Sequence, residues 1–213
     1  CDRFILSKGH AAMAGYSVLA EAAFFPPEQL SAYAVDGSCL GEHPCHGLPG
    51  VKVASGSLGH GLPMAAGIAL AQQMDRRPAR TFVLISDGEC NEGSVWESAM
   101  WCGHHRLENL IVFVDDNQMQ ALGPSRQISG LDPLADKWQA FGWAVYETDG
   151  HDHAALIKTT QDAVSFRGKP KVVIARTILG KGVSFMENDL RWHYQIPSSG
   201  QLQEALSELG RAK

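Results

Sequence analysis

Two apolar runs, residues 81–85 and 110–114, each end in a polar pair, Asp87-Gly88 after the first and Asp116-Asn117 after the second, about 30 residues apart. Buried strands of a parallel sheet read as short, continuous, β-branched runs. Ligands of open α/β sheets bind outside the carboxyl ends of such strands. Asp87 and Asn117 are therefore expected to face one crevice and to share one metal ion. A hard divalent cation takes oxygen ligands and leaves positions to water and phosphate oxygens, which suits one Asp, one Asn and a backbone carbonyl. Gly88 lets the backbone approach a phosphate without a side chain in the way. The competing reading is that Asp87 and Asn117 cap helices, a common role for both residue types.

The rest of the chain alternates in the same sense. Residues 60–74 read as a mostly apolar helix entered from Gly56, Gly59 and Gly61; residues 81–86 as a strand; residues 96–102 as a helix starting near Asn91; and residues 110–115 as the next strand. Residues 134–141 read as helical, 143–148 as extended, 153–165 as helical and 171–176 as extended. Residues 180–197 read as irregular and 201–209 as a surface helix. This predicts an α/β fold, a doubly wound and mainly parallel sheet with helices on both faces. At 213 residues, 45% hydrophobic and 19% charged, the chain suits one domain with a sizeable core. A net charge of −5 and the lack of a long apolar stretch argue against a nucleic acid or a membrane as partner. Five cysteines without a CxxC pair, and no signal-peptide pattern, point to a reduced, cytoplasmic setting.

The Asp-Gly element followed by Asn resembles the thiamine diphosphate motif of the transketolase family. The resemblance extends, in the family's order, to Asp2-Arg3-Phe4-Ile5-Leu6-Ser7-Lys8-Gly9-His10-Ala11, Glu42-His43-Pro44, Gly56-Ser57-Leu58-Gly59-His60-Gly61, Asp115-Asp116-Asn117, Tyr146 to His151 and Gly180-Lys181-Gly182. It implies thiamine diphosphate as cofactor, held through magnesium, or calcium or manganese in its place. Asp87, Asn117 and the Met119 carbonyl would bind the cation and Gly88 the diphosphate. Gly56 and Leu58 would pack on the aminopyrimidine; Ile178 and Leu179 would cover the thiazolium. His10, His43 and His193 would surround the cofactor and the sugar, with His43 the foremost catalytic candidate and His60 a weaker one. Without their neighbours these histidines read as surface or structural residues, and Ile178 and Leu179 as ordinary core.

The implied reaction is transfer of a two-carbon ketol unit from a ketose (phosphate) to an aldose (phosphate). The glutamate that activates the cofactor belongs, in relatives, to a pyrimidine-binding domain beyond this chain's pattern. The resemblance therefore implies a split transketolase, in which a C-terminal subunit supplies that domain and two copies of each chain assemble as a heterotetramer. Glu92, read as one turn into its helix, matches a glutamate at the family's self-association interface; a solvated first-turn carboxylate is the plainer reading. Relatives carry a helical segment before the Asp-Arg-Phe block, so residues 1–213 are expected to be a fragment. Departures are Ser86 for the first Gly of Gly-Asp-Gly, Glu42 before His43-Pro44, and Trp192-His193-Tyr194 for a His-Gly pair. Alternatives are another thiamine-dependent carboligase or 2-oxoacid-decarboxylating subunit, which would not need the sugar-facing histidines, and a noncatalytic cofactor-binding subunit. Cys39, His43, Cys45 and His46 contain zinc-binding residue types, as do Cys102, His104 and His105, but not at the usual two-residue spacing.

Overall fold

A computed structural model describes residues 1–211. In chain order the elements are β1 (Arg3–Leu6), α1 (Ala12–Glu21), α2 (Gly61–Met74), β2 (Thr81–Ser86), α3 (Gly93–His104), β3 (Leu110–Asp116), the short strands β4 (Met119–Gln120) and β5 (Gly123–Pro124), α4 (Ser125–Ser129), α5 (Leu134–Ala140), β6 (Ala144–Asp149), α6 (His153–Ser165), β7 (Lys171–Arg176) and α7 (Ser199–Arg211). Five strands form one parallel sheet in the order β1-β2-β3-β7-β6, and β4 pairs antiparallel with β5. The expected α/β architecture is present.

Burial follows position in the sheet. Val83, Ile85, Val112, Val114, Val172 and Ile174 on the central strands are fully buried, while Phe4 on the β1 edge remains 50% exposed. One contiguous cluster joins these strands to Leu62, Ala65 and Ala69 of α2, Val95 and Ala99 of α3, and Trp138 of α5. That places α2, α3 and α5 over the same face. The chain returns from β6 to its inner neighbour β7 through α6, and a right-handed crossover in that direction puts α6 on the opposite face. Trp138 meets Trp143 edge-on at 4.8 Å, and the Trp143 indole N–H donates to the Ala99 carbonyl at 2.8 Å, locking α5 and β6 to α3. A second cluster packs Ala12, Tyr16 and Ala20 of α1 against Phe25, Leu40 and Leu48.

The strands at 81–86 and 171–176 and the helix at 153–165 coincide with their sequence-based bounds. Asp152 caps α6, its Oδ1 accepting from the Ala154 and Ala155 N–H groups at 2.9 and 3.0 Å. One expectation needs correction: the helix placed near Asn91 starts at Gly93, after a 3-10 turn over Glu89–Asn91. Glu92 is thus the extended residue before the helix, not a residue one turn into it. The segment 180–197 holds a 3-10 turn at Leu190–His193. No helix among the described residues is long and apolar enough to cross a membrane.

Candidate functional site

Because the strands are parallel and in register, with Leu6 beside Leu84, Ser86 beside Asp115 and Asp116 beside Arg176, the residues that follow them leave the same edge of the sheet. Backbone bonds extend the ladder past the strand ends: Ser7 N–H to Leu84 O at 2.9 Å, Asp87 N–H to Asp115 O at 3.1 Å, and Thr177 N–H to Asp116 O at 3.1 Å. Ser7-Lys8, Asp87-Gly88, Asn117 and Thr177-Ile178 are therefore positioned by the sheet itself.

Asp87 is 5% exposed. Its Oδ2 accepts from the Ser125 hydroxyl at 2.6 Å, and its Oδ1 is buried without a hydrogen-bond partner. Burial raises the carboxyl to about 6, with Asp116 and Asp115 adding to the rise and the Ser125 and Gly88 hydrogen bonds opposing it. A buried carboxyl with an open oxygen among other acids is in the condition that a hard cation relieves. Asn117 turns its amide oxygen onto the Met119 N–H at 2.9 Å, a local turn made possible by Gln118 at φ +61°. Neither Asp87 nor Asn117 caps a helix. The β4–β5 pair then returns the chain so that Ser125 reaches Asp87. A Cβ at Gly88 would lie 2.9 Å from the Gln120 Cβ, so this position has no room for a side chain.

Asp87, the Asn117 amide and the Met119 carbonyl supply the oxygen types that magnesium takes, on adjacent strand ends. Among the described residues, no three His, Cys, Asp or Glu side chains group as a metal-binding set. The Cys39, His43, Cys45 and His46 segment therefore forms no such centre, and Cys39 and Cys45 are exposed free thiols.

The three singled-out histidines do come together. The rings of His10 and His193 lie 5.4 Å apart. His10 is driven down to about 4, first by burial and then by the charges of Lys8, His193 and His43. His193 is also lowered, by burial and then by Lys8, and its Nδ1 is buried without a partner. His43 lies over Gly56, where a Cβ would come within 2.9 Å of the imidazole. Gly56 has φ +142°, a conformation that disfavours any larger residue. A Cβ on Gly9 would fall 2.6 Å from the Gly56 nitrogen, so the loop after β1 and the loop before α2 touch backbone to backbone. The Tyr16 hydroxyl lies 3.0 Å from both the Gly41 and the His43 carbonyl, holding the His43 backbone.

Beneath the histidines is Lys8, 7% exposed, whose ammonium meets Asp115 at 2.5 Å. Asp115 also accepts from the Thr177 hydroxyl. Lys8 and Asp115 both lie inside the family-like motif blocks, yet the sequence alone gives neither a role. Glu89 was missed as well. It is fully buried, accepts from the Ser7 hydroxyl and from the Gly59 N–H at 2.9 Å, and its carboxyl is raised by burial. Through it the β1, glycine and Asp87 loops are fastened together. Ile178 donates its N–H to His151 Nε2 at 2.8 Å, which leaves the neutral ring its proton on Nδ1. His60 turns Nδ1 toward the Leu58 carbonyl at 3.1 Å. Glu92 is exposed and its side chain makes no capping bond.

The family described as "Transketolase, thiamine diphosphate binding domain" matches residues 1–210. A subunit of the apulose-4-phosphate transketolase from Actinobacillus succinogenes is 42% identical over 98% of this chain and 75% of its own length. A 6-deoxy-6-sulfo-D-fructose transketolase subunit from a Clostridium species is 41% identical, over 98% of this chain and 76% of its own. The solved transketolase of Campylobacter jejuni superposes with a TM-score of 0.90 at 27% identity, covering 98% of this chain but 34% of that one. The chain thus spans about a third of that solved transketolase. With motif, sheet order and whole-chain similarity in agreement, this chain belongs to the transketolase family of transferases, in its thiamine diphosphate-binding part.

Proposed function

We propose that this chain is the diphosphate-binding subunit of a split transketolase, forming one domain over residues 1–213. It moves a two-carbon ketol unit from a ketose (phosphate) to an aldose (phosphate). The observation that carries the reading is the meeting, at one sheet edge, of the unpartnered Asp87 oxygen and the His10, His43 and His193 group. The names of relatives, subunits of apulose-4-phosphate transketolases among them, support a phosphosugar substrate and a second chain.

In this reading Asp87, Asn117 and the Met119 carbonyl hold magnesium, or calcium or manganese in its place. Gly88 would lie against the diphosphate, Gly56 and Leu58 against the pyrimidine, and Ile178 would cover the thiazolium ring. Thiamine diphosphate, when bound, supplies the carbon nucleophile that lets the bond beside a sugar carbonyl break and re-form. The chain's own residues position and proton-couple that chemistry. His10, with its conjugate acid near 4, is neutral at pH 7 and offers one N–H donor and one acceptor to sugar hydroxyls. His193 is likewise biased to the neutral form. His43, next to Gly56, is assigned the proton transfer at the substrate oxygen. Burial first, and the Lys8 charge after it, keep the His10–His193 pair uncharged.

A companion chain supplies the pyrimidine-binding domain and the activating glutamate, two copies of each chain assemble, and the Glu92 region lies at the self-association surface. The setting is cytoplasmic. Tyr194, 70% exposed and 4.7 Å from the His193 ring, stands where substrate choice is set. The test is reconstitution with the companion chain, following ketol transfer from a ketose phosphate to an aldose phosphate. Activity absent from either chain alone and lowered about 100-fold or more by H43A is expected for loss of a proton-transfer group. Turnover of 2-oxoacids with H43A fully active would assign the chain to a different thiamine-dependent reaction.

A further inference from the structure

The opposite edge of the sheet carries a second constellation. Arg80 immediately precedes β2, Asn109 precedes β3 and Lys171 opens β7, so the amino ends of three neighbouring strands surround a 210 Å³ cavity. Arg77 and Arg167 complete its basic lining, and Glu108 is the carboxylate that faces them. Four cations around one hollow run against a chain whose net charge is −5.

The internal pairings leave this charge incompletely matched. Arg77 reaches Asp75 at 2.9 Å and Arg80 reaches Asp2 at 3.6 Å, both at half-exposed positions where such pairs contribute little. The Glu108 carboxylate accepts from the Gly168 N–H at 2.7 Å. Arg167 is exposed and has no ion pair among the described residues. Lys171 is 1% exposed and donates to the Glu108 carbonyl, which uses one of its three N–H donors. Burial pushes its amine down to about 8, Arg167 and Arg80 push the same way, and Glu108 opposes them. Capping the Glu108 carbonyl explains Lys171 but not the arginines gathered beside it. Asn109 also lines the hollow, but its amide N–H₂ is spent on the Ala69 carbonyl and the Gln72 side chain at 2.9 and 3.1 Å, which leaves the basic side chains as the donors a ligand would meet.

We propose that this cavity binds a phosphate group, free or as a small monoester, with Arg80, Arg167 and Lys171 donating to the phosphate oxygens. Arginine forks and a lysine ammonium are the donors that match a phosphate dianion. The site lies on the amino-end edge and is separate from the carboxyl-end crevice, so it stands or falls independently of the cofactor reading.

The test uses the ¹⁵N-labelled chain, titrated with inorganic phosphate and then with glycerol 3-phosphate at constant ionic strength, chloride being the control. The amide signals of Asn109, Gly168 and Lys171 report the site. Saturable shifts with phosphate but not chloride are expected, and R80Q/R167Q, altering two solvent-accessible side chains, is expected to weaken binding about tenfold or more. D87A should leave these shifts in place. Tighter binding of the ester than of phosphate identifies a monoester as the occupant, whereas equal affinity identifies the phosphate group alone as what the hollow recognises. Linear shifts, or saturable shifts that survive R80Q/R167Q with an unchanged melting temperature, overturn the proposal.

Discussion

Replacing Asp87 with Asn is predicted to stabilise the cation-free chain at neutral pH while destroying its cation site. The carboxyl's ordinary value is 3.8 and its folded value about 6. A raised carboxyl favours the folded state only while protonated, so the cost of ionising it is absent below the unfolded value. The cost builds as pH rises through 4 to 6 and is complete above 6. A rise of about 2 units corresponds to about 3 kcal/mol at pH 7, falling to about 1 kcal/mol at pH 4.5. Asn removes that cost and keeps an acceptor for the Ser125 hydroxyl, but it points an amide N–H₂ at the place where Oδ1 has no partner. An orphaned donor costs about 1 kcal/mol. The net gain is about 2 kcal/mol at pH 7, or roughly 4–8 °C in Tm for a chain of this size, and about zero at pH 4.5. Thermal unfolding of wild type and D87N in chelator at the two pH values measures it. A D87N variant less stable than wild type at pH 7, or an advantage independent of pH, would refute the view that Asp87 is held in a cation-seeking state.

Three further outcomes are expected. The His10 ring should titrate near 4 by NMR, and K8M should move that midpoint upward, since Lys8 contributes the largest charge effect on it; an unmoved midpoint would remove Lys8 from the site's electrostatics. G56A should lose about 1–3 kcal/mol in chemical denaturation, because φ +142° and the His43 ring both oppose a Cβ. W143F should lose about 1–3 kcal/mol, leaving the Ala99 carbonyl buried without its indole donor; a loss under 0.5 kcal/mol would mean that this bond does not hold β6 to α3.

The parts of the fold legible in the sequence are those where local pattern and burial agree. The β2 and β7 runs are continuous and apolar because both sheet faces cover them, and α6 announces itself through Asp152. β1 is a four-residue edge strand whose Phe4 faces solvent, so its hydrophobic pattern is too short to stand out beside the motif it carries. α1 has no side-chain cap and is rich in Ala, and β4 and β5 are two residues each, below the reach of any period. In the candidate site, the position of Asp87 and Asn117 just past two neighbouring strands was legible because those strand ends announce themselves. Their supports were not. Ser125 lies 38 residues from Asp87, Asp115 lies 107 from Lys8 and Glu89 lies 82 from Ser7, and pairings across such separations leave no local trace. Glu92 was misplaced because the Asp87 loop tightens into a 3-10 turn before the helix can start.

Calorimetric titration of thiamine diphosphate with magnesium into the purified chain, beside D87A, tests most directly whether this sheet edge is a cofactor site. Saturable heat with the wild-type chain, abolished both by D87A and by chelating the magnesium, is the expected result. Equal binding by the two chains, or binding indifferent to magnesium, would contradict it.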